Sequence, residues 1–516
     1  MNQPLLILTW LCLFGLSSVS FAGELDSKDL AARIDSHLSK QWDQEQIEPA
    51  PLASDAEFLR RAWLDLCGVI PPLNHGDGVS GIRDFLESTD PNKRPRLIEA
   101  LLAHPRHASH FANIWKNIML PSEANVRRFG GDGGFESWLR GQFADNRPYD
   151  ELVSELLLVS GNANQVGPAL YYTALELKPE ELAASTSRIF LGTQIQCAQC
   201  HDHPFDHWTQ KDFWSYAAFF AQLQQTRGQQ VAFQVSDTRE GSVKIPETEE
   251  VIEPAFLGGT PSLDNNQTTR RERLARWLVS AENPYFAKAT VNRVWAILFG
   301  RGIVEPVDDF GRHNPASHPE LLNELADAFV ISGYDMKWLL RTITQTRAYQ
   351  MSSESRAGDS DRPELFARMA VKSLTAEQLY DCLAEATRRR ENAGSPQGFD
   401  QNRFLFLEKF RAGAQAATEY EAGIPQALTL MNGSQIRQAT DLGQSDLLIA
   451  VNAPFFTNEK RVEVLFLSTL SRYPKPEERA LFVEYVKKGG TQGNPRAALG
   501  DVLWALLNSA EFVLNH

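Results

Sequence analysis

Apolar positions recur along most of the chain at helical spacing, and the polar residues between them supply helix starts rather than the strict alternation of half-buried strands. Thr269-Arg270-Arg271-Glu272, Ser317-His318-Pro319-Glu320 and Thr375-Ala376-Glu377-Gln378 have capping-box spacing. In that arrangement a hydroxyl and a carboxylate or amide satisfy N–H groups that the first helical turn leaves unpaired. Each predicts a helix. Pro179-Glu180-Glu181 predicts another, carrying Leu182, Ile189, Phe190 and Ile195, with proline in the first turn where its missing N–H is harmless. From about Gln224 to Asn266 the pattern changes to glutamines, acidic residues, prolines and a Gly258-Gly259 pair. Brief alternation at Val231 to Val235 and Val243 to Ile245 makes this a linker with a small β-hairpin. The expected architecture is therefore mainly α, with two helical domains, 23–223 and 261–516, joined by a linker and hairpin over 224–260. Small and polar residues cluster again at 353–361 and 391–402, and no repeat of solenoid length is evident.

The first 22 residues depart from this pattern. They carry no charged side chain, run apolar from Leu5 to Leu16 and end in Ser20-Phe21-Ala22, the small-x-small pattern of a signal cleavage site. An exported, periplasmic or secreted protein is expected. The apolar run is shorter than the ~20 residues that a bilayer span needs, and no later segment is longer, so no membrane span is expected in the mature chain.

At 516 residues, 43% hydrophobic and 10% aromatic, the chain can build more than one core and does not have the composition of a disordered protein. A formal charge of -14 argues against nucleic acid or an anionic membrane face as the main partner, since both require surplus Lys and Arg. Beyond Cys12 in the leader, the cysteines are Cys67, Cys197, Cys200 and Cys382.

Two of these carry the sharpest chemical signal, in Gln196-Cys197-Ala198-Gln199-Cys200-His201-Asp202-His203-Pro204. Cys-x-x-Cys-His is the attachment sequence of c-type haem: two thiols a helical turn apart form thioethers to the two vinyl groups, and the next residue's imidazole reaches the iron. Chance occurrence of the pattern in a chain with four such cysteines is on the order of one in two thousand. Cys197, Cys200 and His201 are thus the candidate haem-binding residues. The second axial ligand is open among His203, His207, Met119, Met336, Met351, Met369 and Met431, although a methionine is more often a core filler. Three other chemistries remain: a zinc or copper site using His201, His203 or His207 with the thiols, a thioredoxin-type redox disulfide, and a structural disulfide with no cofactor.

The residues around the motif resemble a known family. Phe190-Leu191-Gly192-Thr193-Gln194 leading into the motif, and Phe205-Asp206, Trp208, Asp212 and Trp214 after it, resemble the planctomycete cytochrome-like domain, domain of unknown function 1549. Phe58-Leu59-Arg60-Arg61, Leu64-Asp65-Leu66 and Gly68-Val69-Ile70-Pro71 resemble its start. Asn283-Pro284-Tyr285, Val291-Asn292-Arg293-Val294-Trp295, Leu298-Phe299-Gly300-Arg301-Gly302 and Asp308-Asp309-Phe310 resemble its C-terminal companion, domain of unknown function 1553, a pattern that continues through Arg347-Ala348-Tyr349-Gln350 to Ile424-Pro425-Gln426-Ala427-Leu428. The resemblance implies an exported planctomycete-type protein, with a redox partner or a sulfatase-like neighbour protein as candidate partners, and no established reaction. Many relatives begin with a further cytochrome domain. This chain has no second Cys-x-x-Cys-His, so it offers no multi-haem wire.

Weaker groupings have plainer readings. Asp308, Asp309, His313 and His318 lie within eleven residues, near Asn292, Arg293 and Arg301, and are suited to acid–base work or a hard cation. A helix cap at Ser317 and an ion pair of Arg293 with Asp308 or Asp309 account for much of the run. Trp295 and Phe299 read as core, and 130–134 reads as a flexible glycine turn. Two functions are expected to compete. One is a c-type haem protein in electron transfer or in oxidation of a small or carbohydrate-derived substrate. The other is a non-catalytic scaffold or binding protein whose cysteine pair is structural.

Overall fold

The computed structural model describes residues 26–74, 78–121, 133–227, 233–262, 267–355, 362–389, 401–411, 431 and 433–516. The leader, residues 130–132 of the glycine run, the 231–232 end of the expected hairpin and the 424–428 motif lie outside them. The chain is mainly α, and among the described residues the strands are short, in one three-stranded and two two-stranded sheets. Among the described residues no helix is long and apolar enough to cross a membrane.

The helices form where local chemistry starts them. Thr269 and Thr375 each close a capping box, with Glu272 and Gln378, and Pro179 opens the Pro179–Phe190 helix. Ser317 does not cap. Its hydroxyl donates to the Ile303 carbonyl, and His318 occupies the cap position of Pro319–Ile331 without a side-chain bond to the helix. Gly133 and Gly134, expected in a turn, instead begin the Gly133–Ala144 helix.

Between the helical halves the structure forms two hairpins. Leu223–Arg227 pairs antiparallel with Phe233–Asp237, which also takes Gly161–Asn162 as a third strand, and Val243–Lys244 pairs with Val251–Ile252. The third strand comes from some sixty residues upstream, a pairing that local alternation cannot announce. Arg271 anchors this sheet from the second half: its guanidinium grips the Asp237 carboxylate and donates to the carbonyls of Leu157 (3.0 Å) and Val159 (2.9 Å).

The two halves share one hydrophobic core, in which Trp295 stacks on Phe299 at 4.3 Å between centroids. At its centre lies the Asp55–Cys67 helix, capped by Ser54 and closed by Gly68 at φ +72°. Arg60 and Arg61 are buried and donate to carbonyls of the second half: Thr469 and Phe512 for Arg60, Tyr349 and Met351 for Arg61, whose guanidinium also pairs with Glu57 at 2.8 Å. Pairing most of their buried N–H groups offsets the cost of taking the two charges out of water. At the helix's C-terminal end, His107 donates from Nδ1 to the Leu66 carbonyl at 2.9 Å and His110 donates to that of Asp65. These carbonyls have no intrahelical partner, so the two imidazoles complete the helix end. A Cβ on Gly68 would lie 2.4 Å from His110 Nδ1, in a conformation L-residues rarely adopt. Gly68→Ala should therefore destabilise the protein by about 1–3 kcal/mol in urea unfolding, and unchanged stability would refute the contact.

Candidate functional site

The cysteine loop follows a sharp change of direction. The Pro179–Phe190 helix ends, Gly192 turns the chain at φ +62°, and Ile195 and Ala198 drop into the core as anchors. Between them Gln196–Gln199 makes one 3-10 turn, tighter than the α-turn of the usual attachment sequence. Apolar anchoring at positions three apart turns Cys197, Cys200 and His201 outward, and all three are exposed. Both cysteines are free thiols.

The next helix, Gln210–Ala217, holds the loop from behind. Thr209 and Asp212 form its capping box. Its first turn reaches back: Gln210 Nε2 donates to the carbonyls of Gln199 (3.2 Å) and Cys200 (3.0 Å), the Gln210 N–H donates to Asp202 Oδ1 (2.8 Å), and Trp214 Nε1 donates to the Gln199 carbonyl (3.0 Å). The carbonyls of the cysteine turn, which one 3-10 turn cannot satisfy internally, are thus paired from outside.

The histidines can be told apart by their partners. His201 Nδ1 sits 2.8 Å from the Asp202 carbonyl. A carbonyl only accepts, so Nδ1 carries the proton and Nε2 keeps a lone pair pointing away from the loop. His203 has the opposite arrangement. Its Nδ1 accepts from the N–H groups of Phe205 (3.3 Å) and Asp206 (3.0 Å), which places the proton of the neutral ring on Nε2 and leaves no nitrogen for a metal. His203 is a turn-former, closed further by its own N–H to the Trp208 carbonyl at 2.8 Å. His207 donates from Nδ1 to Asp206 Oδ1 at 2.7 Å and packs tilted against Trp208 at 4.1 Å between ring centroids. Burial alone would raise the Asp206 carboxyl, but the His207 backbone N–H and imidazole outweigh it and hold it below the usual carboxylate range.

A loop from the second half lies against this one. Asp308 accepts from Gln194 Nε2 (3.0 Å) and pairs with Arg188 (3.2 Å), and the Phe310 N–H donates to the Gly192 carbonyl at 2.8 Å. The expected ion pair of Arg293 is therefore replaced by that of Arg188. Arg293 is buried and directs its guanidinium at the carbonyls of Arg188 and Ile189. His313 pairs through Nε2 with Asp309 at 3.0 Å, beside Phe205 at 6.4 Å between ring centroids. A Cβ on Gly311 would meet both the His313 ring and, at 3.2 Å, Asp206 Oδ2. Two carboxylate-braced imidazoles, Asp206–His207 and Asp309–His313, thus border one seam, an arrangement that suits proton exchange. His318 is not among them; it is buried against Phe366, where Ser317 partners its Nδ1. The signal overlooked in the sequence was Thr209-Gln210-Lys211-Asp212, a capping box that starts a helix immediately behind the cysteine loop.

The donors present fit a c-type haem: two free exposed thiols three apart, and beside them an imidazole whose Nδ1 is committed to a carbonyl and whose Nε2 is free. Met119, Met336, Met351 and Met369 are buried core residues, whereas Met431 is exposed. Cys67 and Cys382 are also buried as single thiols, and burial pushes the Cys382 thiol up to about 12. Among the described residues no three His, Cys, Asp or Glu side chains come together as a metal-holding group.

Residues 33–225 match the PSCyt2 family, described as a protein of unknown function (DUF1549), and residues 270–422 match PSD1, likewise a protein of unknown function (DUF1553). No curated protein and no solved structure matches the chain. The seam at Asp308 thus joins a residue of the PSD1 match to residues of the PSCyt2 match, and the chain carries a PSCyt2 match followed by a PSD1 match, both families of unknown function.

Proposed function

We propose that the protein is an exported c-type haem protein that passes electrons to a redox partner, with Cys197 and Cys200 as the points of covalent attachment and His201 as an axial ligand. The observation that carries this reading is the His201 imidazole. Its Nδ1–H is held by the Asp202 carbonyl, which fixes the tautomer and aims the Nε2 lone pair away from the loop, next to two free thiols. When bound, the haem supplies a one-electron couple. The chain's own residues supply the rest: Gln210 and Trp214 fix the backbone between the attachment points, and His203 closes the turn that follows. Exposure of all three attachment residues supports electron transfer to a partner over oxidation of a substrate in an enclosed pocket. Export is supported by the signal-like Met1 to Ala22 stretch.

The test is expression with a system that attaches haem to exported chains, followed by a haem stain of the denatured band and a reduced-minus-oxidised spectrum. Covalent haem is expected in the wild type and is lost in Cys197→Ala with Cys200→Ala. A folded, colourless wild type would overturn the reading and return the pair to thiol or metal chemistry, which thiol counting and metal analysis on that sample would separate.

A further inference from the structure

The cysteine loop has little order of its own. It is one four-residue 3-10 turn, entered through a left-handed glycine and exposed at every residue that would do chemistry. A single short turn does not hold two side chains in fixed relation without outside support. One source of support, the Gln210–Ala217 helix, follows it directly in the chain. The other is more than a hundred residues away.

That second source grips the loop at both ends. At the entry, Asp308 takes one hydrogen bond from Gln194 and pairs with Arg188, while the Phe310 N–H takes up the Gly192 carbonyl. The ring of Phe310 closes against Gly192 so tightly that a Cβ there would lie 2.6 Å from it. At the exit, Gly311 packs so close to Asp206 that a Cβ there would lie 3.2 Å from Asp206 Oδ2. Entry and exit are thus held by Asp308, Phe310 and Gly311 of the second half. Asp308 serves this purpose only if its carboxylate is held there, and it is: the side chain is 16% exposed and both oxygens are engaged.

We infer that a role of the PSD1 half is to position the cysteine loop of the PSCyt2 half, with Asp308 as the positioning residue that sets the entry to Cys197. The inference rests on the reading that the cysteine pair is the reactive centre. It assigns the second half a share in that centre without any residue that touches the haem.

The test measures backbone hydrogen exchange over residues 190–205 in the full, haem-free chain. Asp308→Ala and Gln194→Ala are each expected to speed exchange there by up to about tenfold, the equivalent of one charge-assisted hydrogen bond, with a double variant no faster than the quicker single one. Lys244→Gln, at an exposed ion pair outside the loop and its clamp, should match the wild type, and thermal unfolding should be unchanged in all of them. In haem-loaded protein, thiol alkylation followed by peptide mass spectrometry should find Cys197 or Cys200 alkylated in a share of Asp308→Ala chains, which are attached through one thioether, and neither alkylated in the wild type, which has two. Wild-type exchange in Asp308→Ala would overturn the inference. So would faster exchange spread over the whole first half with a lowered melting temperature, because Asp308 would then hold the fold and not the loop. A wild type that takes no haem overturns the proposed function instead, while the exchange result still decides the positioning role.

Discussion

Lowering the pH from 7 to 4.5 is expected to unfold the protein in a cooperative transition well above the range in which carboxylates protonate. Burial draws His516 below an ordinary value of 6.5 and drives three further histidines far below it: His107 to about 3, His110 to about 4 and His318 to about 4. All three are buried, and the first two cap the central Asp55–Cys67 helix as neutral donors. Above pH 6.5 neither the folded nor the unfolded chain protonates them, and their contribution to stability is full. Below pH 6.5 the unfolded chain takes up protons that the folded chain refuses, so stability falls with pH until the folded values are reached near 4 and 3. Three such groups give a slope of up to about 4 kcal/mol per pH unit between pH 6 and 5. Over two units the total is on the order of the whole stability of an ordinary protein, 5–15 kcal/mol. Carboxylates that the fold holds low, such as Glu478 through Arg472 and burial-opposed Asp206, lose their contribution only below about pH 4.5, outside this window. Urea midpoints at pH 7, 6 and 5 measure the slope, and His110→Gln, which keeps a donor but cannot titrate, should lower it by about a third. A midpoint that does not move between pH 7 and 5 would sink the account.

What the sequence makes legible here is what is local. Thr269 and Thr375 with their partners three residues on mark true helix starts because the capping bond spans one turn. The cysteine motif is legible for the same reason. Proximity along the chain misleads once a helix intervenes: His318 stands five residues from His313, yet Pro319 begins a helix that carries its ring into the core against Phe366. The partners that matter most are remote. Asp308 reaches Gln194 and Arg188 across 114 and 120 positions, and a single sequence carries no record of such pairings. Ionisable residues inside an apolar helix pattern, Arg60, Arg61 and Asp65, were the one visible hint that the two halves are joined through buried polar contacts.

Replacing Lys372 by methionine should destabilise the protein by about 3–5 kcal/mol, among the largest effects of any single substitution. Lys372 and Asp65 are both buried, and their 2.6 Å contact is the hub of a network that ties the Asp55–Cys67 helix to the far end of the chain. The ammonium also donates to the carbonyls of Ile297 (3.0 Å) and Leu298 (2.6 Å), which the end of the Phe286–Phe299 helix leaves without intrahelical partners. Asp65 accepts in turn from Tyr349 (2.9 Å) and Asn515 (2.7 Å). Burial draws the Lys372 ammonium below its ordinary range, against the pull of Asp65, so the charge persists there because its partners are in place. Methionine fills the same volume but leaves the Asp65 carboxylate buried with only neutral donors, and that uncompensated charge is the source of the loss. Asp65→Asn removes the charge while keeping an acceptor, so Asp65→Asn with Lys372→Met should lose less than the two singles added, by about 1–3 kcal/mol in a double-mutant cycle. Strict additivity would mean that the contact does not join the halves energetically. With coupling, a single urea transition is expected for both halves, since the helix, the Lys372–Ser373 strand and its partner Leu514–Asn515 lose their shared hub together.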